Sequence, residues 1–158
     1  MRAAALALLL TVTVPLGAQG FVLVPRTQPE VRAELDVARH AAALLMAGAN
    51  VPLGFYVRGG AAVGAGAAWR DGGSQLALRA DLTLRFLLDP FGENRWGPYA
   101  GGGFTVSRAG ADRASAGLLL VLGVEGRRGR RWMPSVEAAL GEGARLAIVL
   151  RKARRNGR

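Results

Sequence analysis

His40, the one histidine in the chain, and serines such as Ser115 are the side chains whose types suit acyl transfer. A histidine that takes the proton of a serine hydroxyl turns it into a nucleophile. The sequence sets no serine or acid beside His40, and a base without its nucleophile and orienting group is not a catalytic constellation. One histidine and no cysteine also leave no ligand set for zinc. Gly64-Ala65-Gly66 and Gly141-Glu142-Gly143 lack the third glycine of a dinucleotide fingerprint, and neither opens a helix after a strand. They suit curvature and turns, and no cofactor is expected. What remains is charge. Net charge is +10, nearly all of it from arginine, with Lys152 the only lysine. One set of charges is interleaved with apolar residues: Arg58, Arg79, Asp81, Arg85, Glu125, Glu137 and Arg145, joined by Arg32, Glu34, Asp36 and Arg151. It mixes both signs, so arginine–carboxylate pairing is the expected chemistry. A second set is clustered: Arg127, Arg128, Arg130 and Arg131 in one turn, and Arg151, Lys152, Arg154 and Arg155 in a C-terminal tail. Arg151 belongs to both.

The elements that hold these residues have a period of two. Over residues 74–88, Leu76, Leu78, Ala80, Leu82, Leu84 and Phe86 alternate with Gln75, Ala77, Arg79, Asp81, Thr83 and Arg85. Successive side chains of a strand point to opposite faces, so this is a strand with one apolar and one charged face; a helix would spread the charges around its circumference. The same alternation runs from Phe55 to Arg70, with Tyr56 and Arg58 on the polar face. It recurs around Trp96 to Ser107, Arg113 to Glu125, Trp132 to Leu140, Arg145 to Arg151 and Val31 to Val37. Residues 41–51 are small or apolar on both sides, and over residues 32–46 a helix is the second choice. Turn signals at Pro52-Leu53-Gly54, Asp71-Gly72-Gly73, 89–95, 109–112, 126–130 and 141–143 cut the chain into about eight strands. Ahead of them, Arg2, an apolar run over 3–14 and small residues around Ala18 and Gly20 form the three-part pattern of a cleaved secretory signal over 1–20. The expectation is an all-β domain over 21–158, an antiparallel up-and-down barrel with a short basic tail. Nothing after the signal reads as a spanning helix.

Alternation alone does not say which face meets water. Three features favour a barrel turned inside out, apolar toward lipid and charged within. The strands approach the ~9–11 residues of a tilted membrane strand. Glycine and alanine crowd the polar face, as at Gly60, Gly64, Gly66, Gly101, Gly103, Gly117 and Gly123. Phe55, Trp69, Phe86, Trp96 and Trp132 sit near strand ends, where membrane barrels carry aromatic girdles. The interior of eight strands is just wide enough for side chains to fill. The interleaved charges therefore read as a structural plug.

The signal, the alternating strands and the aromatic ends resemble the small outer-membrane β-barrel proteins of bacteria. Arg85-Phe86-Leu87-Leu88-Asp89-Pro90-Phe91, followed by Arg95-Trp96-Gly97-Pro98-Tyr99, is similar to uncharacterised members of that group. The resemblance covers most of the chain after the signal. It implies export to the outer membrane and membrane lipid as the main partner, and it transfers no functional residue. Barrels of this kind usually end in an aromatic residue and carry long outer loops; here the last residues are Arg154-Arg155-Asn156-Gly157-Arg158 and the hairpin loops are short.

In an up-and-down order, the basic turn and the basic tail share one end of the barrel and form a rim suited to anionic lipid headgroups. Nucleic acid is not an expected partner, because export removes it and no aromatic stacking platform accompanies the charge. Two other readings stay open: a soluble periplasmic barrel binding a small apolar ligand, and an outer-membrane lipid-modifying enzyme using His40 and Ser115.

Overall fold

The computed structural model describes residues 27–37, 41–70, 72–91, 93–126 and 131–152. The expected signal over 1–20, His40, and Arg127, Arg128, Arg130, Arg154 and Arg155 of the rim lie outside the described residues. Eight strands run in chain order: β1 (Gln28–Val37), β2 (Ala41–Pro52), β3 (Val57–Arg70), β4 (Gly73–Leu87), β5 (Trp96–Ala109), β6 (Ser115–Gly126), β7 (Trp132–Leu140) and β8 (Ala144–Lys152). Each pairs antiparallel with the next, and β8 returns to β1 from Glu30↔Arg151 to Val37↔Ala144, closing an up-and-down barrel. Closure leaves no open edge to the sheet as a whole.

The stagger of the barrel follows from the register. Stepping across paired residues from Pro52 through Arg58, Arg85, Gly101, Val121, Ala139, Arg145 and Asp36 returns to β2 at Ala42, ten residues from the start. Such a shear tilts the strands by about 35–45° to the barrel axis. All four strand prolines sit where a ladder has stopped. Pro29 lies one residue before the β1–β8 ladder, Pro98 one beyond the β4–β5 ladder, Pro134 one beyond the β6–β7 ladder and Pro52 at the end of β2. A residue without an N–H is tolerated at such positions and not within a ladder.

Period two holds in all eight strands and decides the faces. The charged positions are buried and most large apolar ones are outside: Arg151 is 0% exposed, whereas Leu118 is 72% exposed. Among the described strand residues, the only charged outward positions are Arg108 and Lys152, each at or next to a strand end. The helix considered for 32–46 does not form. That segment is β1 and β2, paired from Gln28↔Asn50 to Val37↔Ala41, because its charges fall on one face only as a strand. β1 starts at Gln28, earlier than the alternation suggests, and so brings Glu30 into the barrel. β3 starts at Val57, so Phe55 and Tyr56 are exposed in the preceding loop and Tyr56 does not face the interior. Arg113, assigned to a strand face in the sequence, is exposed in the turn before β6.

Two inward glycines make room for larger neighbours. A Cβ on Gly123 would lie 2.3 Å from Cζ of Tyr99, whose ring fills the lumen against β6. A Cβ on Gly60 would lie 2.6 Å from Oδ1 of Asn50 and 2.7 Å from Nη1 of Arg85. Gly72 and Gly110 have φ of +82° and +55° and serve the turns before β4 and before β6. Gly123→Val is therefore expected to destabilise the barrel by about 1–3 kcal/mol through overpacking. Urea unfolding of the refolded protein is the measurement, with Gly54→Val, where a Cβ would meet nothing within 4 Å, as the comparison.

Candidate functional site

The lumen gathers most of the chemistry-bearing side chains. Six arginines (Arg32, Arg58, Arg79, Arg85, Arg145, Arg151) and six carboxylates (Glu30, Glu34, Asp36, Asp81, Glu125, Glu137) are buried in it among the described residues. Their charges cancel. Arg151 is the hub. From β8 its guanidinium donates to Glu30 at 2.9 Å, Glu125 at 3.1 Å, Glu137 at 3.0 Å and the Tyr99 hydroxyl at 3.3 Å, and it lies 5.3 Å from the Tyr99 ring centroid. These partners stand on β1, β6, β7 and β5, so one side chain crosses the barrel.

Around the hub, Arg58 donates to Glu125 at 2.8 Å, and Arg85 donates to Glu137 at 3.2 Å and to Oδ1 of Asn50 at 2.8 Å. The amide of Asn50 donates to Glu30 at 2.6 Å, and Arg32 joins Glu30 at 3.2 Å to Glu137 at 3.0 Å. Toward the other end, Arg79 donates to Glu34 and Asp36. There Arg145 lies 3.6 Å from Asp81 and donates to Thr105 at 3.3 Å. Arg32, 3.9 Å from Glu34 and 4.0 Å from Asp81, links the two layers. Apolar packing flanks them: Leu44 and Met46 with Ala42, Ala62, Ala68 and Ala77 on one side, and Leu87, Tyr99, Leu119 and Val121 on the other.

Every interleaved charge singled out in the sequence is brought into this lumen. Sequence reasoning missed Glu30 and Asn50; Tyr99, Thr105 and Ser135 lie buried on the polar faces that the alternation assigns them. Glu30 keeps the i, i+2 spacing of Arg32, Glu34 and Asp36, so the signal was present; Asn50 stands in a segment without alternating polarity. Arg151 is corrected as a rim residue. Its position on β8 is inward, and it is sealed in the lumen. Of the rim, Arg131 and Lys152 are described, both exposed and at the same end, with Lys152 paired to Trp132.

At the opposite end, the turn between β7 and β8 is tied to β5 and β6. The Ser107 hydroxyl donates to Glu142 at 2.9 Å, and the Ser115 hydroxyl donates to the other carboxylate oxygen. These hydrogen bonds, that of Ser115 foremost, hold the Glu142 carboxyl below the usual carboxylate range. Ser115 thus hydrogen-bonds a carboxylate of the β7–β8 turn. Arg70 and Asp112 pair nearby at 3.2 Å. Among the described residues no group of histidine, cysteine, aspartate and glutamate is arranged to hold a metal.

No family model and no curated protein matches the chain. Solved structures do, two barrels among them. One is Neisserial surface protein A, at TM-score 0.61 and 12% identity, covering 81% of this chain and 96% of that one. The other is the N-terminal β-barrel domain of Pseudomonas aeruginosa OprF, at TM-score 0.55 and 13% identity, covering 79% and 96%. At these identities the likeness is one of fold: a closed eight-stranded antiparallel barrel.

Arg151→Met leaves three buried carboxylates short of a cation and is expected to cost about 3–5 kcal/mol in urea unfolding. Arg58→Met should cost less, about 1–3 kcal/mol, because Glu125 keeps Arg151. Ser115→Ala should raise the Glu142 pKa toward its ordinary value, read by NMR titration. Because the folded pKa is depressed, the clamp stabilises the turn above the ordinary carboxylate range and is lost as pH falls through the folded value.

Proposed function

We propose that this chain is a small integral β-barrel of a bacterial outer membrane, a structural or interaction protein whose lumen is closed by its own side chains. The observation that carries this reading is the inversion of the faces. Apolar side chains, leucine and valine foremost, face outward around the barrel, while twelve ionisable groups lie within. Soluble monomers rarely expose a contiguous apolar patch beyond a few hundred Å², and here the patch runs around the barrel. A soluble barrel with an apolar ligand cavity would need the opposite arrangement.

The height of the belt agrees with a bilayer. On β5 the outward Trp96 and Arg108 stand twelve residues apart. At about 3.4 Å per residue and a tilt near 40°, that span is about 30 Å, the thickness of a hydrocarbon core. Phe55, Tyr56, Phe86, Phe91, Trp96 and Trp132 gather at the end that holds both described termini, and Trp69 stands at the other. In this reading the first end lies at a headgroup boundary, with Arg131 and Lys152 contributing about 1 kcal/mol each toward anionic lipid. The resemblance to small outer-membrane barrels and the similarity to a Neisserial surface protein support the same placement.

Expressed at full length, the protein is expected in the outer-membrane fraction, with different gel mobility boiled and unboiled. Leu120→Arg, in the middle of the belt on β6, should cost about 2–4 kcal/mol of barrel stability in lipid. Recovery of unmodified protein as a soluble periplasmic species, with Leu120→Arg without effect, would overturn the reading.

A further inference from the structure

The outer wall is not uniformly bulky. Across β2 to β5 two paired rows run Ala49–Ala61–Leu82–Phe104 and Val51–Gly59–Leu84–Gly102. Small residues recess the wall beside Leu82, Leu84 and Phe104, which stand 62%, 54% and 64% exposed, and the result is an open groove of about 540 Å³. Its floor is backbone already paired in the ladders, so it presents almost nothing polar. One end of the groove meets the aromatic cluster. The next outward row holds Val57 and Phe86, with Tyr56 6.2 Å from Phe86 and Phe91 6.3 Å from Tyr56.

Resting on the bilayer reading above, we infer that this groove is a seat for one acyl chain of a phospholipid whose headgroup lies at the aromatic end. Three observations select that occupant. The groove opens on the belt that faces lipid in that reading and is continuous with it. It runs from the interfacial aromatics toward the middle of the belt, the path of a chain anchored by its headgroup. A second copy of the barrel fits poorly: two grooves placed face to face enclose a hollow, and the bulky outward ridge of Leu118, Leu120 and Leu122 stands on β6, so ridge-in-groove contact is heterologous and does not close into a dimer. An ordered chain in the groove restores dispersion contacts that the recessed wall lacks.

The test is native mass spectrometry of the refolded, heat-modifiable barrel released from vesicles of palmitoyl-oleoyl phosphatidylethanolamine and phosphatidylglycerol. The unmodified protein should keep one phospholipid per barrel. Ala61→Leu, which fills the groove, should keep at least fivefold less. Ala65→Leu, which adds the same side chain to the outer face of β3 beyond the groove, should match the unmodified protein. Equal retention in all three proteins means annular lipid only and overturns the inference while leaving the membrane reading intact. A dimer that Ala61→Leu converts to monomer assigns the groove to a second copy and also overturns it. A chain that never enters vesicles removes both readings together.

Discussion

The barrel depends on the guanidinium of Arg151. An arginine taken out of water is tolerated when its donors meet acceptors, and here three carboxylates from three strands converge on it. Those strands, β1, β6 and β7, together with β8 itself, include the closing seam between the two ends of the chain. Breaking the barrel open at β1–β8 separates Glu30 from Arg151 and leaves each without its shortest ion pair. Closure and charge pairing are therefore one event. That accounts for an interior of ionic pairs where apolar packing alone would fill the same volume. The pairs are directional and span the lumen, so they define the register in which the last strand meets the first.

Period two made the strands legible in the sequence, and legibility failed where the period did. The charges from Arg58 to Arg145 were placed on a common face because each keeps its parity within its own strand. Arg151 shows the limit. It sits beside Lys152 in a basic run, and only the inward parity it shares with Arg145 separates a lumen residue from a rim residue. β2 shows another limit. Its inward Leu44 and Met46 and its outward Leu45 are equally apolar, so neither face announces itself, and Asn50 carried no signal that it would bridge Glu30 and Arg85. The parity of Tyr99 sets it on the polar face opposite Trp96, but the space that Gly123 leaves for its ring is legible only once β5 and β6 are paired. Which carboxylate meets which arginine depends on the ten-residue stagger, a property of all eight ladders that no single segment encodes.

The plug and the groove are two consequences of one thin stretch of wall. Arg79 and Arg85 on β4 need space inside the barrel to reach β1 and β7. β3 supplies it with Gly60, Ala62, Gly64 and Gly66, where a longer side chain would meet Arg85 or the β2 backbone. β2 and β3 carry small residues on their outer face too, at Ala47, Ala49, Gly59, Ala61, Ala65 and Ala67. At Gly60 the guanidinium of Arg85 takes up the space, and at Gly64 and Gly66 the β2 backbone does. Outer alanines have no such protein neighbour, and in water that recess would be one more exposed apolar surface. In a bilayer it is a place where the solvent is itself a chain molecule able to pack. The asymmetry between a bulky β6–β8 exterior and a recessed β2–β3 exterior thus ties the internal charge network to the shape of the apolar outer wall.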